Sequence, residues 1–209
     1  MPGQIEAVPD QAQAQAGQEP ARRPRADAER NRARLLDAAR AAFASGQASV
    51  SLDQVARDAG VGIGTLYRHF PTREALVEAL YRKELDYLCA SATALLATRS
   101  PEGALRAWLD GFAGYVAAKR EMADALRAVL ASGAVTISQS RGRLTAAVQV
   151  ILDAGIADGT LRDDVRAEDV VAMTVGMFTA TPSIDGGREQ LERMFGLLVD
   201  ALRRPRKAE

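Results

Sequence analysis

Apolar residues recur at intervals of three and four from Arg30 almost to the C-terminus, and this spacing restricts the fold more than any other feature of the sequence. Alanine, a strong helix former, is abundant, β-branched runs are short, and no long segment alternates with period two. The sequence therefore predicts an all-α protein of about nine helices, in which a small three-helix head precedes a larger helical bundle.

The pattern divides the chain into three parts. Residues 1–29 are rich in Gln, Ala and Pro and lack apolar periodicity, which is typical of a disordered tail. Residues 30–75 contain the three short helices of the head, and residues 76–209 contain the bundle. The predicted helices lie at about 29–45, 51–60, 63–70, 73–97, 101–119, 121–131, 140–158, 167–180 and 188–204.

Capping residues set several of these boundaries. Gly46 is expected to end the first helix. Ser51 is expected to cap the second helix, with Gln54 as its reciprocal partner in a capping box. The hydroxyls of Thr72 and Ser100 are placed to cap the fourth and fifth helices.

Basic residues are concentrated in one section of a chain whose 27 Lys and Arg balance 27 Asp and Glu. Residues 22–75 carry ten Arg against six acidic residues, whereas residues 76–209 are close to neutral. Such a section suits nucleic-acid binding, although a solvated charged face has the same composition. Arg22, Arg23 and Arg25 are open to both interpretations, as an arm that reaches DNA or as part of a solvated tail.

Cysteine and histidine each occur only once in the sequence, which disfavours several classes of chemistry. Cys89 is the one cysteine of the sequence, which rules out an intramolecular disulfide and disfavours a zinc site built on cysteines. His69 is the one histidine, which disfavours histidine clusters and catalytic triads, so we expect no enzyme, no metal and no cofactor. No apolar segment follows the N-terminus and none reaches the roughly 20 residues needed to cross a bilayer, which favours a cytoplasmic protein.

Residues 51–73 have the pattern of a helix-turn-helix, in which two short amphipathic segments are joined by Gly60–Val61–Gly62. In this motif the second helix enters the major groove, where its exposed residues read base edges. The outward residues of that helix are Ile63, Gly64, Thr65 and Arg68. The Thr65 methyl group can contact a thymine, and the Arg68 guanidinium can donate to O6 and N7 of a guanine.

The run AGVGIGTLYRHFPTREAL, at residues 59–76, resembles the signature of the TetR family of transcriptional regulators. The run GTLRDDVRAEDVV, at residues 159–171, is similar to the stretch before the dimerisation helices of many such regulators. The resemblance implies that Thr65, with Ile63, Gly64 and Arg68, faces the bases. It also implies phosphate contacts from Tyr67, His69, Ser51, the backbone at Thr72 and the side chain of Arg73.

The sequence departs from the family pattern at two positions. Gly62 stands where the family often has Ser, which removes one hydroxyl contact to a phosphate, and Ile63 is apolar where a polar reader is common. The operator sequence therefore stays open. Tyr67 has a second interpretation as a core aromatic, and His69 as a buried or merely exposed imidazole. A phosphate-cradling loop at GVGIG is disfavoured, because the spacing and the following Lys are missing.

The fifth predicted helix carries Leu105, Trp108, Phe112 and Tyr115 on one side. These residues are either core or the wall of a ligand cavity, which the family resemblance places among helices four to seven. The candidate lining residues are Tyr87, Trp108, Phe112, Tyr115, Met122 and Leu126. The ligand expected on this basis is a small apolar or aromatic compound.

The last two predicted helices carry apolar residues in helical spacing, which fits either packing within the chain or a two-fold intermolecular bundle of four helices. The candidate interface residues are Val171, Thr174, Val175, Phe178, Leu191, Met194, Phe195, Leu198 and Leu202. A dimer is also expected on physical grounds, since two heads roughly 34–36 Å apart read a palindrome across successive major grooves.

These features predict a homodimeric repressor that binds a palindromic operator in double-stranded DNA and is released by a ligand that favours another separation of the heads. One alternative is the same repressor without a small-molecule ligand. Two others come from different classes: a helical adaptor that binds only protein, which would not need the outward Thr65, Tyr67, Arg68 and His69, and a small helical enzyme.

Overall fold

The computed structural model describes residues 23–45, 50–181 and 187–205, and over these ranges the chain forms nine α-helices. The helices are α1 (Arg23–Ala44), α2 (Leu52–Asp58), α3 (Ile63–His69), α4 (Arg73–Leu96), α5 (Pro101–Glu121), α6 (Ala123–Ala131), α7 (Ile137–Ala157), α8 (Ala167–Ala180) and α9 (Gly187–Leu202). In the same ranges, β pairing is limited to one bridge between Leu161 and Arg203. The predicted all-α class is confirmed.

Two helices begin earlier than the sequence predicts. Helix α1 starts at Arg23, so residues 23–29 are helical and not part of a tail, because their Ala, Arg and Glu favour a helix without an apolar stripe. Helix α7 starts at Ile137 in the predicted loop, because the Thr136 hydroxyl accepts from the Gln139 amide at 3.2 Å. The earlier part of the predicted tail and Gly46 lie outside the described residues.

The caps of α4 and α5 are confirmed. Thr72 Oγ1 accepts a hydrogen bond from the Ala75 amide at 3.1 Å, and Ser100 Oγ accepts one from the Gly103 amide at 3.2 Å. The capping box of α2 is wrong. Ser51 holds the N-cap position without a side-chain cap bond, and the Gln54 amide donates to Asp58 at 2.6 Å instead.

The head is built around side chains from α1, α2 and α3. Leu35 and Ala39 of α1 and Val55 of α2 are fully buried, as is Leu66 of α3. Gly60 adopts φ 65°, a left-handed angle that favours glycine and lets the chain turn from α2 into α3.

Helix α4 connects the head to the bundle. Lys83 Nζ pairs with the Asp37 carboxylate at 2.5 Å and Glu84 pairs with Arg40 at 3.1 Å, so two ion pairs tie α4 to α1. Further along, its inner face packs against α5, α6 and α7.

The bundle is centred on a row of aromatic rings. Phe112 of α5 lies 5.6 Å from Trp108 and 5.5 Å from Phe178 of α8, and Phe178 lies 5.9 Å from Phe195 of α9, measured between ring centroids. This row holds the three helices together. None of the described helices combines the length and apolar character that a membrane crossing requires.

Candidate functional site

Helix α3 is anchored to the head by one narrow face. Leu66 is 0% exposed and Phe70, which follows the helix, is 2% exposed. Because a seven-residue helix has few inward positions, most of its other residues lie on the surface. Tyr67 is 48% exposed and Ile63 is 38% exposed, and Arg68 and Gly64 also lie on the surface. The interpretation of Tyr67 as a core aromatic is therefore wrong.

Two further predicted residues of α3 are partly exposed. Thr65 lies between the exposed and buried faces of the helix. The His69 ring, at the end of α3, is half-buried, and its centroid lies 6.2 Å from that of Phe70. His69 is therefore neither fully buried nor fully exposed.

The remaining predicted DNA-contacting residues flank α3. Ser51 and Thr72 are exposed at the N-caps of α2 and α4, and the Ser51 hydroxyl makes no cap bond that would occupy it. The Arg73 side chain is half-buried, and its Nε is the buried side-chain nitrogen that has no hydrogen-bond partner among the described residues. Hydroxyl, guanidinium and imidazole groups around one exposed short helix suit contacts to phosphates and base edges.

Two family models match the chain. Residues 35–80 match the model described as bacterial regulatory proteins of the tetR family, and residues 100–204 match the model described as the C-terminal domain of SbtR-like transcriptional regulators. The chain belongs to the TetR family. It is therefore a DNA-binding transcriptional regulator of a non-enzymatic family, and the alternatives of a helical enzyme and of an adaptor that binds only protein are wrong.

Solved TetR structures have the same fold. A TetR transcriptional regulator from Streptomyces coelicolor is 45% identical, and the match covers 82% of this chain and 98% of that one with a TM-score of 0.73. A TetR transcription regulatory protein from Mycobacterium vanbaalenii is 32% identical, and the match covers 86% of this chain and 99% of that one with a TM-score of 0.67.

Similarity to curated relatives is confined to a shorter segment. An HTH-type transcriptional regulator of Staphylococcus aureus (strain USA300) is 36% identical over 63 residues, which is 30% of this chain and 34% of that protein. The match therefore spans about a third of the length of the curated relatives.

A cavity of about 640 Å³ lies within the C-terminal domain of this TetR protein, between α4, α5, α6, α7 and α8. Phe112, Tyr115 and Leu126, three of the predicted residues, line it. The other lining residues are Tyr81, Val116, Lys119, Arg120, Ala123, Arg127, Leu130, Ile137, Ser140, Arg141, Leu144, Val171, Val175, Phe178, Thr179 and Thr181.

Three predicted lining residues lie elsewhere. Tyr87 is 77% exposed, because Leu85 and Leu88 form the inner face of α4 and residue 87 points away from it. Trp108 is fully buried in the core, where its indole N–H donates to the Leu88 carbonyl at 3.1 Å. Met122 is buried at the junction of α5 and α6 and does not reach the cavity.

A chain of hydroxyl groups forms one wall of the cavity. Tyr115 donates to the Tyr81 hydroxyl at 2.7 Å, Tyr81 donates to Ser140 Oγ at 2.8 Å, and Ser140 donates to the Thr136 carbonyl at 3.2 Å. Burial, and then the hydrogen bond with Tyr81, raises the pKa of the Tyr115 phenol above its ordinary value. The Tyr115 phenol is therefore neutral, and its proton points toward the Tyr81 hydroxyl.

Tyr81 and Ser140 were not identified from the sequence as cavity-lining residues. Tyr81 lies four residues before Leu85 on the inner stripe of α4, so its helical position could have identified it. Ser140 gives no such signal, because it is a small polar residue at the first position of the helix predicted at 140–158 and belongs to no apolar stripe.

The predicted dimer-interface residues are mostly buried within the protomer. Val171, Thr174, Phe178, Phe195, Leu198 and Leu202 are all 7% exposed or less. Leu191 and Met194 are half-buried, and Val175 is 36% exposed at the cavity. Packing within the chain therefore accounts for six of the nine residues. The most exposed large apolar side chains among the described residues of these helices are Met173 of α8, at 51%, and Leu197 of α9, at 70%, neither of which was predicted.

Proposed function

We propose that this TetR regulator binds a palindromic operator as a homodimer, represses transcription there in the cytoplasm, and leaves the DNA when a small molecule occupies the cavity. The observation that carries the proposal is the geometry of α3. Leu66 and Phe70 anchor the helix, while Tyr67 and Arg68 project from the protein.

In the proposed complex, α3 lies in the major groove. Thr65, Ile63 and Arg68 face base edges, and Arg68 supplies the donors that distinguish guanine. No heavy atom lies within 4 Å of where a Cβ of Gly64 would be, so the helix backbone can approach the DNA closely at this position. The phosphate contacts come from Tyr67, His69, Ser51, Arg73 and the backbone at Thr72.

A two-fold dimer supplies the second head. One α3 reaches too few bases for useful discrimination, whereas two copies about one helical turn of DNA apart read both halves of a palindrome. Met173 and Leu197 offer exposed apolar surface on α8 and α9 for the symmetric contact. Gly176 lies on the same exposed side of α8 as Met173. No heavy atom lies within 4 Å of where a Cβ of Gly176 would be, so a partner helix can come close.

Ligand release is proposed from the position of the cavity relative to the head. A volume of about 640 Å³ lies within the range typical of small-molecule sites, roughly 300–1,000 Å³. Tyr81 of α4 lines the cavity, and Lys83 and Glu84 of the same helix pair with α1. A ligand that prefers another position of α4 would thereby shift the population toward another separation of the heads.

The proposal is tested by selecting bound fragments from genomic DNA with the purified full chain and titrating the recovered duplex by fluorescence anisotropy. We expect a palindromic consensus and a protein mass twice that of the chain. Replacement of Leu197 with Glu should yield a monomer with weakened operator binding, whereas replacement of Arg188, an exposed residue of the same helix, with Glu should not. Recovery of fragments without any common palindrome would contradict the operator proposal, and an unchanged dimer in Leu197→Glu would contradict this interface.

A further inference from the structure

We infer that the cavity takes an amphipathic organic anion, with an apolar body inside and a carboxylate or similar group at the mouth. The inference rests on the proposed function, in which the cavity holds the effector. It adds an anionic group to the small apolar or aromatic ligand expected from the sequence, because basic side chains from three helices line the cavity.

Among the described residues that line the cavity, every charged one is basic. Lys119 and Arg120 come from the last turn of α5, Arg127 from α6 and Arg141 from α7. Within residues 23–45, 50–181 and 187–205, no Asp or Glu lines the cavity. Because like charges around one opening repel each other, an anion between them is favoured over a neutral or cationic molecule.

Two of these side chains already have partners. Arg127 pairs with the Asp124 carboxylate at 2.5 Å, and Arg120 Nη2 donates to the Phe178 carbonyl at 2.9 Å near the end of α8. Lys119 and Arg141 form no ion pair within the described part of the chain. These two cations, one from α5 and one from α7, are the groups that we assign to the anionic end of the ligand.

The interior of the cavity suits an apolar body. Phe112, Leu126 and Leu144 are buried side chains that line it, with Val171 and Phe178 of α8 completing the wall. A short aliphatic chain or an aromatic ring system would bury its surface there.

The hydroxyl chain orients the ligand. Its last acceptor is the Thr136 carbonyl, which has no proton to give, so the protons of Ser140, Tyr81 and Tyr115 all point along the chain. The wall therefore presents lone pairs and no donor to the cavity at Tyr115. A carboxylate would be repelled at that end, and its oxygens belong at the mouth beside Lys119 and Arg141.

The test compares matched acids and alcohols on the full chain. Octanoate and octan-1-ol, and 2-naphthoate and 2-naphthalenemethanol, share their apolar parts and differ in charge. By isothermal titration calorimetry at pH 7.5 we expect each acid to bind roughly tenfold tighter than its alcohol, because charge-assisted hydrogen bonds are the stronger ones. We expect the difference to shrink as salt is raised.

Substitutions test which residues cause the preference for acids over alcohols. Lys119→Met combined with Arg141→Gln should bring the acids to the affinity of the alcohols and leave the alcohols unchanged. Arg99→Gln removes one exposed positive charge outside the cavity and should preserve the preference. Arg127→Gln should have a smaller effect than the double substitution, because Arg127 already pairs with Asp124.

The outcomes separate this inference from the proposed function. Equal affinities for acid and alcohol, a preference that survives the double substitution, or no binding of any of the four compounds would overturn the anion site. Release of the operator is followed separately by anisotropy. Acid binding that depends on Lys119 and Arg141 without release of DNA would overturn the proposed ligand response and leave the anion site standing.

Discussion

The hydroxyl of Tyr115 on α5 donates a hydrogen bond of 2.7 Å to the hydroxyl of Tyr81 on α4, inside the cavity. Two residues after Tyr81, Lys83 pairs with Asp37 of the head. The same short stretch of α4 therefore contacts both the cavity wall and the DNA-binding domain. A change in the cavity that moves Tyr81 would act directly on the segment that holds α1.

Removing either hydroxyl should destabilise the protein to different extents. Tyr81→Phe deprives Tyr115 of its acceptor and Ser140 of its donor, and leaving buried polar groups unpaired should cost about 1–3 kcal/mol. Tyr115→Phe removes one donor while Tyr81 still donates to Ser140, and should cost about 0.5–1.5 kcal/mol. Urea unfolding of both variants and of the double variant measures the two costs and their coupling. An equal or reversed order would contradict the central position of Tyr81 between Tyr115 and Ser140.

Tyr67→Ala should weaken binding to operator and to random duplex by the same factor, roughly tenfold, because a phosphate contact carries no sequence information. The fold should be unaffected, since the side chain is 48% exposed. Gel-shift titrations with both duplexes measure the two affinities. Tyr87→Ala is the matched control, because Tyr87 is an exposed tyrosine outside the head. Unchanged DNA affinity in Tyr67→Ala would contradict the phosphate contact.

Arg68→Ala should relax base preference more than it weakens overall binding. Loss of a bidentate contact to guanine is expected to remove about 1–3 kcal/mol of discrimination at one position in each half-site. Competition between the operator and single-base variants of it measures this discrimination. If the operator and random DNA lost affinity equally, Arg68 would contact only the backbone.

Gly155→Ala should be destabilising although alanine favours helices. A Cβ at this position of α7 would lie 2.9 Å from Leu161 Cβ and closer still to the rest of that side chain. The backbone amide of Leu161 donates a hydrogen bond to the Gly155 carbonyl at 2.9 Å, and Leu161 also forms a β-bridge with Arg203. Leu161 therefore cannot easily move away. Overpacking of this kind costs about 1–3 kcal/mol.

Gly142→Ala, in the same helix, is the matched control for Gly155→Ala. No heavy atom lies within 4 Å of where its Cβ would be, so thermal unfolding should show a gain of about 0.5–1 kcal/mol from helix propensity. If Gly155→Ala raised the free energy of unfolding as much as Gly142→Ala does, the close approach of Leu161 to Gly155 would be contradicted.

The Cys89 thiol should react slowly with iodoacetamide. Burial raises its pKa above the ordinary value, with Arg143 opposing and Asp86 adding to the shift, so the thiolate fraction at pH 8 is smaller than that of an unstructured cysteine. The rate should keep rising at pH values where a cysteine-containing peptide has reached its plateau. Unfolding in urea should abolish the difference. A folded protein whose rate levelled off with the peptide would contradict the shift.

Local signals in the sequence were sufficient for much of the fold and of the DNA-binding surface. The bounds predicted for α8, 167–180, match the structure, and Thr72 and Ser100 cap the helices that they were expected to cap. Caps, the turn at Gly60 and the periodicity around Leu66 depend on residues within one or two turns, so a linear pattern contains them. The same locality explains why the exposed residues of α3 could be named in advance.

The sequence by itself determined the helices, their order and the outward side of α3, because these follow from short-range sterics and hydrogen bonds. Only the tertiary structure decided which apolar stripe of α8 and α9 faces the chain itself and which, at Met173 and Leu197, faces outward. It also decided that Tyr81 lines a cavity while Tyr87 does not, and that Lys119 of α5 and Arg141 of α7 line the same cavity. These relationships join residues distant in the chain, and their packing depends on the crossing of whole helices, which no local pattern specifies.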